Sequence, residues 1–452
     1  MIKDSLLSDI RFFSKNNQRL VIWKSFDRIE ESLEGKTDFD FLLLEGDMEK
    51  LHDLMTSMGW VRFRSEHWRY FDKIYDYFKP LKSENGKTKI IHFHIHENIR
   101  TGERFTKSLH IPNSYFTDSL IRVNLFETIN SEQNFKLSII RTAYKTKLID
   151  YLLSLIRLDK ESIFKYRNEL FLSNQQYIPH LQNTDYVNFL HTNSIYKFTS
   201  LLFQIRKKNN YLKQPKLFKL YYLKLIFSKI SPGGKKSENG LLVSFVGIDG
   251  VGKSTLTNIL QQSLSKQFKF KLVYMGIPKS IKKIRFLLGS VLKTYTTGNN
   301  KPPESLEINT LGIKRFINTI FSLFISLIKI AKIFYIYLYK KNGYIVVTDR
   351  YPIIGISDDL PQWKDSLLSR IELKLNKLFK APDLIFILHA NKDILQSRRD
   401  DYKNLDYLEK LNVQSKLLNF SKKNNNIIEI DTSLELNESE FLIISKIFEI
   451  LK

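Results

Sequence analysis

Residues Leu241 to Leu260 read LLVSFVGIDGVGKSTLTNIL. Leu241 to Val246 is an apolar run broken only by Ser244, as expected of a buried parallel strand. Gly247, Gly250, Gly252, Lys253 and Ser254 then fit the spacing G-x-x-x-x-G-K-[ST], and a periodic helix follows from Thr255. Glycines at these positions let the backbone curl so that successive N–H groups face one concavity, where a helix N-terminus also points. The expected occupant is the polyphosphate of ATP, held by Gly247, Asp249, Gly250, Val251, Gly252, Lys253, Ser254 and Thr255. Lys253 is expected to reach the β- and γ-phosphates, and the Ser254 hydroxyl to ligate Mg²⁺.

Outward from this stretch, FKLVYM (Phe270 to Met275), YIVVT (Tyr344 to Thr348), LIFIL (Leu384 to Leu388) and IIEI (Ile427 to Ile430) are further short apolar runs separated by helical segments. That alternation predicts an α/β fold with a doubly wound parallel sheet. Ligands in such sheets bind at the carboxyl ends of strands. Asp349, Arg350 and Tyr351 follow YIVVT directly. Asp349 is suited to hold Mg²⁺ or its water, and Arg350 to grip a phosphate through its planar fork; the alternative is a structural ion pair between the two.

GIDGVGKST, the Asp349–Arg350–Tyr351 triplet after its strand, APDLIFIL from Ala381 and IIEIDTS at Ile427 to Ser433 together resemble the thymidylate kinase family of P-loop kinases. The resemblance spans about residues 241 to 452. It implies that Asp249 contacts a sugar hydroxyl of the acceptor and that Arg350 holds the acceptor phosphate. SRRDDYKNLDYLE, Ser397 to Glu409, resembles the family's arginine-bearing lid, so Arg398 or Arg399 would stabilise the transferring phosphoryl group; a surface arginine pair is the alternative. GIPKS (Gly276 to Ser280) and PIIGISDDLPQW (Pro352 to Trp363) stand where the family reads its nucleotide, and neither matches. The acceptor is therefore open between a nucleoside monophosphate and a sugar or glycan.

Upstream, LVIW (Leu20 to Trp23), Lys24-Ser25, a helical stretch and GKTDFDFLLLE from Gly35 place Asp38 and Asp40 two apart on a strand, hence on one face, with Phe39 and Phe41 on the other. Paired carboxylates of this kind can hold a divalent cation. KIIHFHIHE puts His92, His94 and His96 on one strand face, either joining the aspartates at a metal or forming a polar outer surface. The order resembles an α+β nucleotidyltransferase-fold domain, over about residues 15 to 115. Lys24-Ser25 replaces the usual Gly-Ser, and histidines stand where a third carboxylate is expected. An active transferase and a binding domain without catalysis both remain open. Chains pairing two such parts resemble proteins of bacterial surface-polysaccharide clusters.

These elements divide the chain into 1–115, a helical middle region 116–230, a linker 231–240 and the P-loop domain 241–452. The 43% hydrophobic content of 452 residues supports packed cores and excludes disorder. With no cysteine there is neither a disulfide framework nor a thiol nucleophile, which suits a reducing cytoplasm. FINTIFSLFISLIKIAKIFYIYLY, Phe316 to Tyr339, is long enough to span a bilayer. Its Lys329 and Lys332, and its position between two strands of one sheet, favour a core helix.

The net charge is +24, but residues 1 to 110 are near neutral. The densest basic segment, Leu201 to Gly240, mixes lysines with Tyr211, Tyr221, Tyr222 and Phe227. It reads either as a peripheral contact with an anionic membrane surface or as a solvated helix and linker. With no sequence-reading module, nucleic acid is the weakest partner. The leading expectation is an ATP- and Mg²⁺-dependent phosphotransferase; the alternative is an NTP-binding switch or scaffold with a degenerate first domain.

Overall fold

The computed structural model describes residues 2–24, 28–66, 70–101, 107, 109–111, 113, 120–123, 126–130, 134, 137, 223–227, 234–275, 327–349, 381–398 and 426–452. Apart from the last few residues, the chain divides into two compact units, Met1–Lys235 and Lys236–Ile447.

The first unit runs α1 (Ile2–Lys15), β1 (Arg19–Ile22), α2 (Ile29–Leu33), β2 (Phe39–Glu45), α3 (Met48–Ser57), β3 (Val61–Phe63), β4 (Ile74–Lys82), β5 (Thr88–His96), β6 (Ile99–Thr101), β7 (Leu109–Ile111), β8 (Leu120–Val123) and β9 (Phe126–Ile129). Seven strands form one mixed sheet in the order β3-β4-β5-β2-β1-β9-β8, and β6 and β7 pair separately. The pairs β2–β5 and β1–β9 are parallel, while β4–β5 is a long antiparallel ladder.

Alternation fixes which face is buried. Phe39, Phe41, Phe93 and Ile95 enter a core closed by Leu6 and Phe13 of α1, Leu51 and Met55 of α3, and Trp60. The Phe93 ring centre lies 4.7 Å from Phe41 and 4.0 Å from Trp60. Asp9, 2% exposed, is accommodated in α1 because Trp60 Nε1 and Lys79 Nζ donate to its Oδ2 at 2.9 and 2.6 Å.

The boundary expected at residue 115 falls inside this sheet. LIRV and FETI, each with two β-branched residues, form a hairpin that adds β8 and β9 beside β1, so the start of the expected helical region is strand. Residues 138–222 of that region lie outside the described residues, as does most of the basic segment Leu201 to Gly240, while 223–227 are helical as expected.

In the second unit β10 (Leu241–Val246), β11 (Phe270–Val273), β12 (Ile345–Thr348), β13 (Leu384–His389) and β14 (Ile427–Asp431) form a fully parallel sheet in the order β11-β12-β10-β13-β14. This is the expected doubly wound α/β arrangement. The chain leaves β10 for one edge, returns through β12, and crosses to the other side of β10. A crevice is expected where the winding reverses, at the carboxyl ends beside β10. The helices are α4 (Lys253–Leu264), α5 (327–341), α6 (Lys392–Arg398) and α7 (Leu436–Leu451). In α4, Leu256, Leu260 and Leu264 recur every four residues and are buried.

Helix α5 is the described part of the long apolar stretch. It packs by Ile333 and Ile336 against Leu242, Val273 and Val346 of the sheet, while Leu327 and Phe334 are more than 60% exposed. It is thus a one-sided covering helix rather than a fully buried one. Among the described residues no helix is long and apolar enough to cross a membrane.

Replacing Phe93 by Ala removes the ring on which Phe39, Phe41 and Trp60 converge. A loss of about 3–5 kcal/mol is expected, read as a fall in the denaturant midpoint of the first unit; an unmoved midpoint would contradict the packing described.

Candidate active site

In the second unit the site is built at the carboxyl end of β10. Gly247 follows the strand directly, and a side chain there would collide with its surroundings. A Cβ on Gly247 would lie 2.7 Å from the Leu388 carbonyl oxygen and 2.9 Å from Val251 Cγ1. Gly250 and Gly252 have φ of 85° and 97°, the left-handed region where L side chains are strained. Gly252 is the N-cap of α4, so the helix begins at Lys253 with its first N–H groups directed at the loop.

Lys253 is 8% exposed. Its ammonium donates to the carbonyl oxygens of Gly247 at 2.7 Å and Ile248 at 2.8 Å, and Asp249 Oδ1 is 3.7 Å away. Asp249 is exposed, as are Ser254 and Thr255 in the first turn, whereas Val251 is fully buried and anchors the loop.

Asp349 stands one residue past β12, the strand beside β10. It is 7% exposed, and its Oδ1 accepts the Met275 N–H at 3.0 Å, linking the ends of β11 and β12. Arg398 closes α6. Its Nη2 donates to the Thr432 carbonyl at 2.9 Å and its Nη1 to Thr432 Oγ1 at 3.3 Å, while that hydroxyl donates to the His389 carbonyl at 3.1 Å. The guanidinium sits against the loop, since a Cβ on Gly252 would lie 3.9 Å from Nη1. Thr432, which the sequence reading did not single out, thus sets the direction of Arg398. The remaining two expected residues, Arg350 and Arg399, lie outside the described residues, as do the segments at Gly276 to Ser280 and Pro352 to Trp363.

In the first unit β2, β5 and β4 bring a second constellation together. Asp40 is opposite His94 in the β2–β5 register, and His94 is opposite Asp76 in the β4–β5 register. Asp40 and Asp76 are 2% and 4% exposed. Lys24 Nζ lies 2.6 Å from Asp40 Oδ1. Asp76 Oδ1 is 2.8 Å from both His92 Nε2 and His94 Nδ1, and Lys235 Nζ is paired with its Oδ2.

Burial acts to raise the Asp76 carboxyl, but Lys235 and the two imidazoles outweigh it and hold the group well below the usual carboxylate range. Asp38 precedes β2 and is likewise held low against burial by His92, His94 and Lys24. Of the two aspartates expected on one strand, Asp40 lies on β2 in register with His94, whereas Asp38 immediately precedes the strand. Asp76 was missed. Its signal was a lone carboxylate in the aromatic run IYDYF, Ile74 to Phe78, where an unpaired charge could not be buried. A cavity of about 280 Å³ opens beside it, walled by Arg62, Arg64, Lys107 and Lys235, and burial together with Lys24 pushes Lys107 down to about 8.

Comparison with known proteins agrees with the second unit. The thymidylate kinase family profile matches residues 245–443. The C-terminal half of the chain is therefore thymidylate kinase-like. The uncharacterized ATP-binding protein YghR of Escherichia coli (strain K12) is 25% identical over 215 residues, covering 44% of this chain and 82% of that protein. A solved thymidylate kinase from Ehrlichia chaffeensis is 20% identical, with 47% of this chain and 99% of that chain covered and a TM-score of 0.28. One from Candida albicans gives 20%, 47% and 92% with a TM-score of 0.29.

Gly247→Ala places a methyl group against the Leu388 carbonyl. The loop must shift, so affinity for an ATP analogue is expected to fall at least about tenfold, a 1.4 kcal/mol effect, with the far-ultraviolet circular dichroism retained. Titration calorimetry checks this, and unchanged affinity would contradict the tight approach of loop and β13.

Proposed function

We propose that the C-terminal half is an ATP- and Mg²⁺-dependent phosphotransferase whose acceptor is a nucleoside monophosphate or a hydroxylated sugar or glycan. The observation that carries this reading is Lys253, a buried ammonium held by two carbonyl oxygens of its own glycine loop at the carboxyl end of the central strand. Such a lysine is poised to exchange carbonyl oxygens for phosphate oxygens, a stronger, charge-assisted contact. The thymidylate kinase likeness of residues 245–443 supports kinase-type chemistry.

In this mechanism the loop N–H groups and the start of α4 hold the phosphates of ATP. Arg398, directed by Thr432, neutralises charge beside Gly252, and Lys253 bridges toward the group being transferred. The γ-phosphoryl passes to the acceptor oxygen, and catalysis is positioning and charge neutralisation. The Ser254 hydroxyl, exposed in the first turn, and the Asp349 carboxylate at the end of the adjacent strand are the hard oxygen donors that suit Mg²⁺. When bound, that ion would offset phosphate charge. Asp249, exposed on the loop, and Arg350 are assigned to the acceptor. Departure from the family's nucleotide-reading segments supports an acceptor other than thymidylate.

Transfer from labelled ATP to a panel of nucleoside monophosphates, sugars, sugar phosphates and lipid-linked glycans tests this. One acceptor class should become labelled, and Lys253→Ala should lower the rate by on the order of 10²–10³, as expected for loss of a preorganised charge donor. Turnover to ADP with no stimulation by any acceptor would instead support a nucleotide-binding switch.

A further inference from the structure

The face of β2, β4 and β5 turned away from the aromatic core holds a set of nitrogen and oxygen donors that the kinase reading does not use. Asp76, His94 and Asp40 form one row across three adjacent strands, and His96 lies on the same face two residues beyond His94. One donor atom each from Asp40, His94 and His96 lie within 4.8 Å of one another. Two donors on a tetrahedral zinc ion at 2.0–2.1 Å are about 3.4 Å apart, so the observed cluster needs only a modest contraction.

His96 is the independent observation. It is 1% exposed, and neither ring nitrogen has a hydrogen-bond partner among the described residues. Its Nε2 lies 4.0 Å from Asp40 Oδ1, beyond hydrogen-bond reach. The ring is fixed edge-on between Trp23 and His94, at centroid distances of 4.9 and 4.8 Å. A buried imidazole left without a partner is costly unless something else engages it.

His94 is prepared in a different way. Its Nδ1 faces the Asp76 carboxylate rather than the Asp40–His96 side. With an acceptor-only carboxylate 2.8 Å from Nδ1, that nitrogen carries the donated proton and Nε2 is left as the ligating atom. The other triad, Asp76 with His92 and His94, is already spent: both imidazoles meet the same carboxylate oxygen, and Lys235 takes the other. Lys24 Nζ lies 2.6 Å from Asp40 Oδ1, so an ion bound there shares the Asp40 carboxylate with that ammonium or displaces it.

We propose that Asp40, His94 and His96 form a binding site for a divalent transition metal of the zinc class, with Asp76 as the positioning residue of His94. Two imidazoles and a carboxylate suit such an ion, where Mg²⁺ would favour an all-oxygen shell. The site is independent of the phosphate loop and stands whether or not the kinase reading does.

Titration of the full chain, stripped of metal and free of nucleotide, with Co²⁺ tests it through visible ligand-field absorption, alongside equilibrium dialysis with Zn²⁺. One ion per chain with the strong bands of four- or five-coordinate Co²⁺ is expected. His96→Gln and Asp40→Asn should each weaken binding by at least about tenfold, and Asp76→Asn by about 10–100-fold, the usual effect of losing a ligand's orienting partner. His92→Gln should leave it unchanged. Absence of such bands in the wild-type chain overturns the proposal without reference to any variant. Equal affinity in His96→Gln and Asp40→Asn, or a loss in His92→Gln matching theirs, overturns the ligand assignment.

Discussion

A buried ionised group has to be solvated by its neighbours, and both units of this chain are organised around that requirement. In the second unit the group is the Lys253 ammonium, solvated by the carbonyl oxygens of Gly247 and Ile248. Those oxygens are in reach because the backbone turns back on itself immediately after β10, a path that excludes a side chain at Gly247. In the first unit the groups are the Asp40 and Asp76 carboxylates, met by Lys24 and Lys235. Removing one partner of such a pair costs more than the pair itself contributes, because the survivor stays buried and uncompensated.

The two constellations differ in what they leave for a ligand. Around Lys253 the hydrogen bonds run to the main-chain oxygens of Gly247 and Ile248, with the exposed Asp249 carboxylate 3.7 Å away, so a polyanion can take over the ammonium from backbone acceptors. Asp349 and Arg398 are held by Met275 and Thr432 at the ends of neighbouring strands, so the charges about the loop are oriented before any ligand arrives. In the first unit the donors interlock through Asp76, whose single oxygen meets two imidazoles. Such a network is rigid when fully satisfied, and His96 is the member it leaves over.

Much of the second unit was legible in the sequence because its signals are local. A parallel strand buried on both faces is a short apolar run, and the loop depends on glycines at fixed spacing, so β10 to β14 and Lys253 could be read from the chain alone. In the first unit the period of two placed Phe39, Phe41, Phe93 and Ile95 in the core and Asp40 and the histidines opposite them. Asp76 and Lys235 were not legible as partners, since 159 residues separate them and only the fold brings them together. The hairpin of β8 and β9 was misread as helix because two four-residue strands carry too little periodicity to set against the long helical pattern that follows.

The central claim is that Lys253 is a phosphate ligand held in reserve on its own loop. A crystal structure of the chain with Mg²⁺ and a non-hydrolysable ATP analogue tests it most directly. The account predicts that the Lys253 ammonium leaves the Gly247 and Ile248 carbonyl oxygens and lies between the β- and γ-phosphates, with the loop N–H groups on the same phosphates. Density for the analogue elsewhere, with Lys253 still bound to the two carbonyls, would contradict it.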